Sequence, residues 1–371
     1  MRFGFLSTYP PTRCGLASFT RSLAVALTDP PSRRSEVVRV LDADEESAPP
    51  ADPGVQIAGA LRADDAGSRA DAVRAMNRCD AVIVQHEYGI YAGTDGDEVL
   101  AVLGALRIPV ITVLHTVLHR PSAGQRRVLE RVVALSTAVV VMTEHARETL
   151  LSHFRVDGAK VHVIPHGAAV PRHSVHRRGA SPTILTWGLL SPGKGLERGL
   201  RAVAGLRERG VDATYVIAGQ THPKVRAHNG EAYRDSLIGL ARDLGIDAAV
   251  RFVDEYLSPE DLAALLGAAD AVLLPYDSKE QATSGVLAEA LAAGVPVVAT
   301  AFPHAIETLT GPAGVAVAHD DLEAMTSGLE RMLQLGDGRR ASRRDGVGLT
   351  WSEVAARYLD LAERLCAERA A

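Results

Sequence analysis

The stretch Thr283-Ser284-Gly285-Val286-Leu287-Ala288-Glu289 combines three residue types that together suit a nucleotide. Ser284 has the character of a helix N-cap and Gly285 of the first helical residue. A helix start leaves N–H groups unpaired and carries a partial positive charge, so an anion such as a phosphate is favoured there. A glycine at that point lets the anion come close to the backbone, and Val286 and Leu287 offer the next N–H groups. Glu289 lies four residues after Gly285, on the same helical face and one turn deeper. A carboxylate so placed can accept from two neighbouring hydroxyls, as on a ribose. Its neighbours Val286, Leu287, Ala288, Ala290 and Leu291 are apolar, so the helix is expected to be mostly buried and the lone charge to need a partner.

Other residues lie where loops leave apolar runs. Gly188, Gly193 and Lys194 in TWGLLSPGKGLE nearly spell a phosphate-binding P-loop, but Gly195 stands where that motif needs Ser or Thr for magnesium, which argues against an ATPase. His115 ends the run VPVITVL and is followed by Thr116. His115 and His119 have i, i+4 spacing, yet HTVLH lacks the glutamate of a zinc-protease motif. His86, Glu87, Tyr88 and Tyr91 in QHEYGIYAGTDGDEV offer polar contacts and aromatic faces for a sugar. Arg13 and Gly15, between a Pro-rich turn and an amphipathic helix, suit an acceptor phosphate. Gly219, Thr221 and His222 follow the run ATYVIAG. The acidic triplet at 42–44 is too short to carry a metal site.

The elements that must position these residues follow from the apolar pattern. FGFLS, VVRVL, AVIVQ, VPVITVL, AVVVM and KVHVIP alternate with helical stretches in the first half, and TILTWGLL, ATYVIAG, VRFVDEY, AVLLPY and VPVVAT do so in the second. Runs apolar on both faces suit parallel strands covered by crossover helices. The expected fold is therefore α/β, with two Rossmann-like doubly wound parallel-sheet domains facing a cleft. The first spans 1–168, a Pro, His and Arg-containing linker 169–181, the second domain 182–350, and a helix closes the chain over 351–371. Val354, Tyr358, Leu361 and Leu365 form the apolar face of that helix.

The 371 residues are long for one core, and 47% hydrophobic against 23% charged residues suits a globular protein. A formal net charge of -5, with arginines scattered among acids, gives no general attraction for nucleic acid. Cys14, Cys79 and Cys366 show no zinc-ligand spacing and suggest reduced thiols in the cytoplasm. No apolar run reaches the length of a membrane span. The helix after Pro121, with Arg126, Arg127 and Arg131 beside Val128, Leu129, Val132 and Val133, fits packing on a sheet better than peripheral binding to anionic lipid. No GxGxxG follows a strand, which disfavours an NAD-dependent dehydrogenase.

The stretch around Glu289 resembles the carboxyl-domain signature of retaining glycosyltransferases of family 4, which have the GT-B fold. In that family two glutamates flank seven residues, the second binding the nucleotide ribose and the first facing the donor sugar. Glu289 matches the second, and Gln281 occupies the position of the first. The loop matching Gly188–Lys194 supplies an arginine and a lysine that neutralise the leaving diphosphate; Lys194 matches the lysine, and Leu189 stands at the arginine position. In the family a histidine that ends the strand corresponding to VPVITVL lies near the donor sugar; His115, followed by Thr116, matches it. The loop at Tyr256 and Leu257 resembles the nucleobase-contacting loop. With VLHTVL, IPHG and AGQTHP in the expected order, the resemblance runs through nearly the whole chain and extends to the mannosyltransferase-like branch. It implies a cytoplasmic, metal-independent retaining hexosyltransferase taking a nucleotide-sugar donor, GDP-mannose first among the candidates, and a hydroxyl acceptor on a sugar, a lipid-linked sugar or a small molecule. A nucleotide-sugar epimerase of the same fold and a catalytically inactive GT-B binding protein are the alternatives.

Overall fold

The structure is a computed structural model, and it describes residues 1–29, 31–41, 49–169, 181–334 and 348–370. The acidic triplet at 42–44 and nearly all of the expected linker lie outside the described residues. The chain divides into two compact units, one formed by Met1–Gly167 with Trp351–Ala371 and the other by Ala168–Thr350.

In the first unit β1 (Arg2–Ser7), β2 (Arg34–Leu41), β3 (Val55–Arg62), β4 (Ala81–His86), β5 (Val110–Leu114), β6 (Ala138–Val141) and β7 (Val161–Val163) form one sheet. Its order is β3-β2-β1-β4-β5-β6-β7, with every pair parallel. β4, β5 and β6 are buried along their full length, as expected of central parallel strands covered on both faces. The short strand β8 (Gly167–Ala168) lies at the boundary between the units.

The second unit repeats the plan. Strands β9 (Thr183–Trp187), β10 (Thr214–Ala218), β11 (Val250–Val253), β12 (Ala271–Leu274), β13 (Val297–Thr300) and β14 (Gly314–Val317) form a parallel sheet in the order β11-β10-β9-β12-β13-β14. In both sheets the strand order reverses once, between β1 and β4 and between β9 and β12. Ligands of open α/β sheets bind beyond the carboxyl ends of strands at such a reversal, where loops run in opposite directions and leave a crevice.

Among the described strands of the two large sheets, β3 and β14 escape the apolar-run pattern, and both lie at a sheet edge. β3 reads VQIAGALR and is mostly half-buried, with Gln56 exposed; β14 is the four residues GVAV. An edge strand has one neighbour and one partly wet side, so it needs no continuous apolar run.

The closing helix Trp351–Ala370 belongs to the first unit, where Val354, Tyr358, Leu361 and Leu365 are buried as their spacing predicts. The helix Ala123–Leu135 likewise buries Val128, Leu129, Val132 and Val133 in the core. Its apolar side is therefore used within the unit, the packing reading of the sequence. No described helix is long and apolar enough to cross a membrane.

Candidate functional site

In the second unit, the reversal between β9 and β12 brings the loop Gly188–Gly195 beside the loop Pro275–Ser284. Ser284 is the N-cap of the helix Gly285–Ala292, its hydroxyl accepting from Leu287 N at 3.2 Å. The Ser284 N–H in turn donates to Nδ1 of buried His304 at 2.9 Å. The cap is thus held from both sides. The N–H groups of Gly285 and Val286 have no hydrogen-bond partner among the described residues, so they remain available to an anion.

Glu289 finds the partner its apolar surroundings require in Trp187, whose indole N–H donates to Oε2 at 3.2 Å. Burial raises the carboxyl from its ordinary value to about 7, while the indole hydrogen bond acts in the opposite direction. Trp187 closes β9, so the bond ties the helix to the strand across the reversal. Sequence reading missed Trp187 because it belongs to a strand more than a hundred positions away.

Two glycines let the surrounding loops meet. Gly219 has φ +141°, and a Cβ there would overlap the carbonyl oxygen of Gly188. The loops after β9 and β10 then join through Leu190 N to Gln220 O and His222 N to Leu190 O, both 2.8 Å. Gly195, φ +63°, caps the helix Leu196–Glu208, and a Cβ would strike the Pro275 carbonyl oxygen. The glycine that breaks the P-loop pattern is thus required by contact with the end of β12. Lys194 lies with its ammonium 4.5 Å from the centre of the Tyr276 ring, a cation–π contact. Arg198, another residue not anticipated, donates to Pro275 O at 2.9 Å and pairs with Asp277 at 2.9 Å. Leu189 is half-buried at its turn.

Several expected donor-side residues have internal partners. Gln281 Nε2 donates to Thr283 O at 2.6 Å. The Thr221 hydroxyl donates to Glu231 at 2.5 Å, within a network in which Arg234 reaches Glu231, Asp254 and Gly219 O. His222 caps the helix Pro223–Asn229 by accepting from Lys224 N at 3.2 Å. Tyr256 is exposed, whereas Leu257 packs against the core.

In the first unit, the polar cluster surrounds the ends of β4 and β5. His115 Nε2 is 2.6 Å from Gln85 Oε1, the His115 backbone N–H donates to His86 O at 3.1 Å, and the His115 ring meets Phe19 edge-on. Burial, with His166 and His86 nearby, lowers its pKa to about 3. His86 is lowered to about 4 by burial, and neither ring nitrogen has a partner among the described residues. His166 is lowered to about 4 by burial, against a contact of Nδ1 with Gly167 O at 2.6 Å. All three rings are therefore neutral at physiological pH. Glu87 accepts from the Thr116 hydroxyl and from Tyr88 N, and burial raises its carboxyl above the ordinary value. Gln85 was not anticipated, and His166 stood only within the IPHG motif, with no role assigned to it.

The expected aromatic pair separates. Tyr88 is half-buried, its hydroxyl 3.4 Å from Gln125 O. Tyr91 is buried, its hydroxyl donating to Gln85 O at 2.7 Å, so its ring supports β4 from inside the domain. Gly15 opens the helix Gly15–Leu27, capped by Cys14, whose sulfur accepts from Ala17 N. Arg13 lies just before this cap.

Residues 15–170 match the family described as Glycosyltransferase Family 4, and residues 181–335 match that described as Glycosyl transferases group 1. D-inositol 3-phosphate glycosyltransferase of Corynebacterium kroppenstedtii is 28% identical over 69% of this chain and 62% of its own length. GDP-mannose-dependent alpha-(1-6)-phosphatidylinositol monomannoside mannosyltransferase of Mycolicibacterium smegmatis is 28% identical over 67% of this chain and 66% of its own. The chain thus spans less than two thirds of either relative. Sucrose-phosphate synthase from Thermosynechococcus elongatus superposes with a TM-score of 0.75 over 99% of this chain and 100% of its own, at 16% identity, a likeness of fold. With both matches falling one on each α/β unit, the chain belongs to glycosyltransferase family 4 and has the GT-B fold.

Proposed function

We propose that this protein is a retaining hexosyltransferase that transfers mannose from GDP-mannose to a hydroxyl of a sugar, a lipid-linked sugar or a small molecule. The observation that carries the reading is Glu289, partly buried one turn inside a capped helix whose first N–H groups have no partner. The ribose hydroxyls donate to its carboxylate, while the diphosphate meets the N–H groups of Gly285 and Val286 and the ammonium of Lys194. As the sugar–phosphate bond breaks, charge grows on the departing diphosphate, and fixed donors lower the barrier by stabilising that charge. Gln281 and His115 position the sugar; His115, neutral in the unliganded protein, acts as a hydrogen-bonding group and not as an acid. The acceptor attacks the face the nucleotide leaves, with the leaving phosphate taking its proton. No catalytic metal enters this scheme. The mannose assignment draws on the mannosyltransferase among the relatives, and the cytoplasmic setting on three free thiols.

Calorimetric titration with GDP, UDP, ADP and dTDP tests the donor. The expected result is selective GDP binding that weakens about tenfold or more in Glu289→Ala, the loss of hydrogen bonds to a charged group. Preference for UDP would overturn the mannose assignment, and no nucleotide binding would overturn the transferase reading.

A further inference from the structure

His119 and His145 form a pair that the proposed transfer does not use. His119 lies in the loop after β5, and His145 in the first turn of the helix Glu144–His153. Their Nε2 atoms face each other at 3.2 Å. The hydroxyl of Thr149, one helical turn after His145 and itself buried, stands 3.4 Å from His119 Nε2 and 3.5 Å from His145 Nε2. Two nitrogens and an oxygen therefore form a triangle with nearly equal edges.

That triangle has the dimensions of one face of a metal tetrahedron. Zinc–nitrogen bonds are about 2.0–2.1 Å, and two of them at a tetrahedral angle set their nitrogens about 3.3 Å apart. We propose that His119, His145 and Thr149 form a binding site for a borderline-soft divalent cation of the zinc class, with water completing the coordination. Imidazole suits zinc, cobalt and nickel and disfavours magnesium, which prefers oxygen. Without metal, the facing Nε2 atoms share one hydrogen bond, donated by whichever ring carries its proton on Nε2. Metal binding moves that proton to Nδ1 of the same ring, leaving both Nε2 lone pairs for the cation. No group of three or more His, Cys, Asp or Glu is gathered to hold a metal among the described residues, so two imidazoles carry the affinity. His153, its ring edge-on to His119 at 4.9 Å between centroids, walls one side. Its Nδ1 is 3.1 Å from Thr149 O and so helps fix the Thr149 turn. Occupancy would tie the loop that begins with His115 and Thr116 to the neighbouring helix.

The test is titration of the full chain, stripped with chelator, with Co2+ and Zn2+ in the presence of excess Mg2+. The expected result is one Co2+ per chain with the visible absorption of a low-coordinate nitrogen site, displaced by Zn2+. Affinity should fall at least about tenfold in His119→Gln and in His145→Gln, while His119→Cys restores binding with an added thiolate charge-transfer band. Binding that survives both glutamine variants, or a spectrum that stays octahedral, overturns the site. Circular dichroism of each variant separates loss of the ligand from loss of the fold. The outcome is independent of the nucleotide titration, because neither readout requires turnover.

Discussion

At the scale of the residue, Glu289 is balanced between two demands. Its carboxyl is raised to about 7 by burial, so near neutrality it is half protonated, yet ribose recognition requires the ionised form to accept hydrogen bonds. Nucleotide binding then favours deprotonation, and affinity should fall as pH drops below about 7, approaching tenfold per unit. Stability runs the other way. The folded state binds the proton more tightly than the unfolded chain, so stability is fully present below the ordinary glutamate range and is lost as pH rises through 7. Glu289→Gln is expected to flatten both profiles: nucleotide binding weaker than the parent's above about pH 7 and no longer falling towards acid, and a higher Tm than the parent at pH 8 with the difference vanishing near pH 4. Calorimetry and thermal melts across pH 4–8 check both. A variant whose Tm difference grows towards acid would contradict the burial argument.

At the scale of the element, the loop between β9 and the helix Leu196–Glu208 is shaped by contact with the end of β12. Gly195 sits at φ +63° beneath the Pro275 carbonyl, and Asp277 N returns a hydrogen bond to Gly193 O at 3.0 Å. Lys194 stands between these two glycines, so its position depends on both contacts. Gly195→Ala meets a left-handed backbone penalty of about 1–2 kcal/mol together with the carbonyl clash. The expected cost is at least about 2 kcal/mol in denaturant unfolding, with a weaker affinity for nucleoside diphosphate. The same substitution at exposed Gly193, where a Cβ meets no atom within 4 Å, should cost less. Equal destabilisation at both positions would mean that the Pro275 contact is unimportant. The glycine pattern was visible as an imperfect P-loop, but its reason lies in a strand some eighty residues further on.

At the scale of the whole molecule, the closing helix Trp351–Ala370 completes the first unit although it follows the second in the chain. Tyr358 is fully buried there, and its hydroxyl has no partner among the described residues. A buried hydroxyl without a hydrogen bond costs stability, so Tyr358→Phe is expected to be neutral or stabilising by about 1 kcal/mol. Tyr358→Ala should cost about 3–5 kcal/mol as a large core deletion. Urea unfolding of the two variants tests this; a destabilised phenylalanine variant would show that the hydroxyl is satisfied in solution.

The sequence by itself determined the two α/β sheets, the apolar face of the final helix and the Ser284-capped helix that carries Glu289. These depend on local periodicity, on capping residues and on runs of apolar side chains, all of which are written within a dozen positions. The edge strands β3 and β14 were less legible because partial exposure relaxes the pattern that marks a strand. Only the tertiary structure decided the partners: Trp187 for Glu289, His304 for the Ser284 backbone, Gln85 for His115 and His145 for His119. Each joins residues on different elements, and the sheet order that brings those elements together is set by packing across the whole unit. Spacing along the chain therefore found the groups that can do chemistry, while strand reversal and burial determined their neighbours and their protonation.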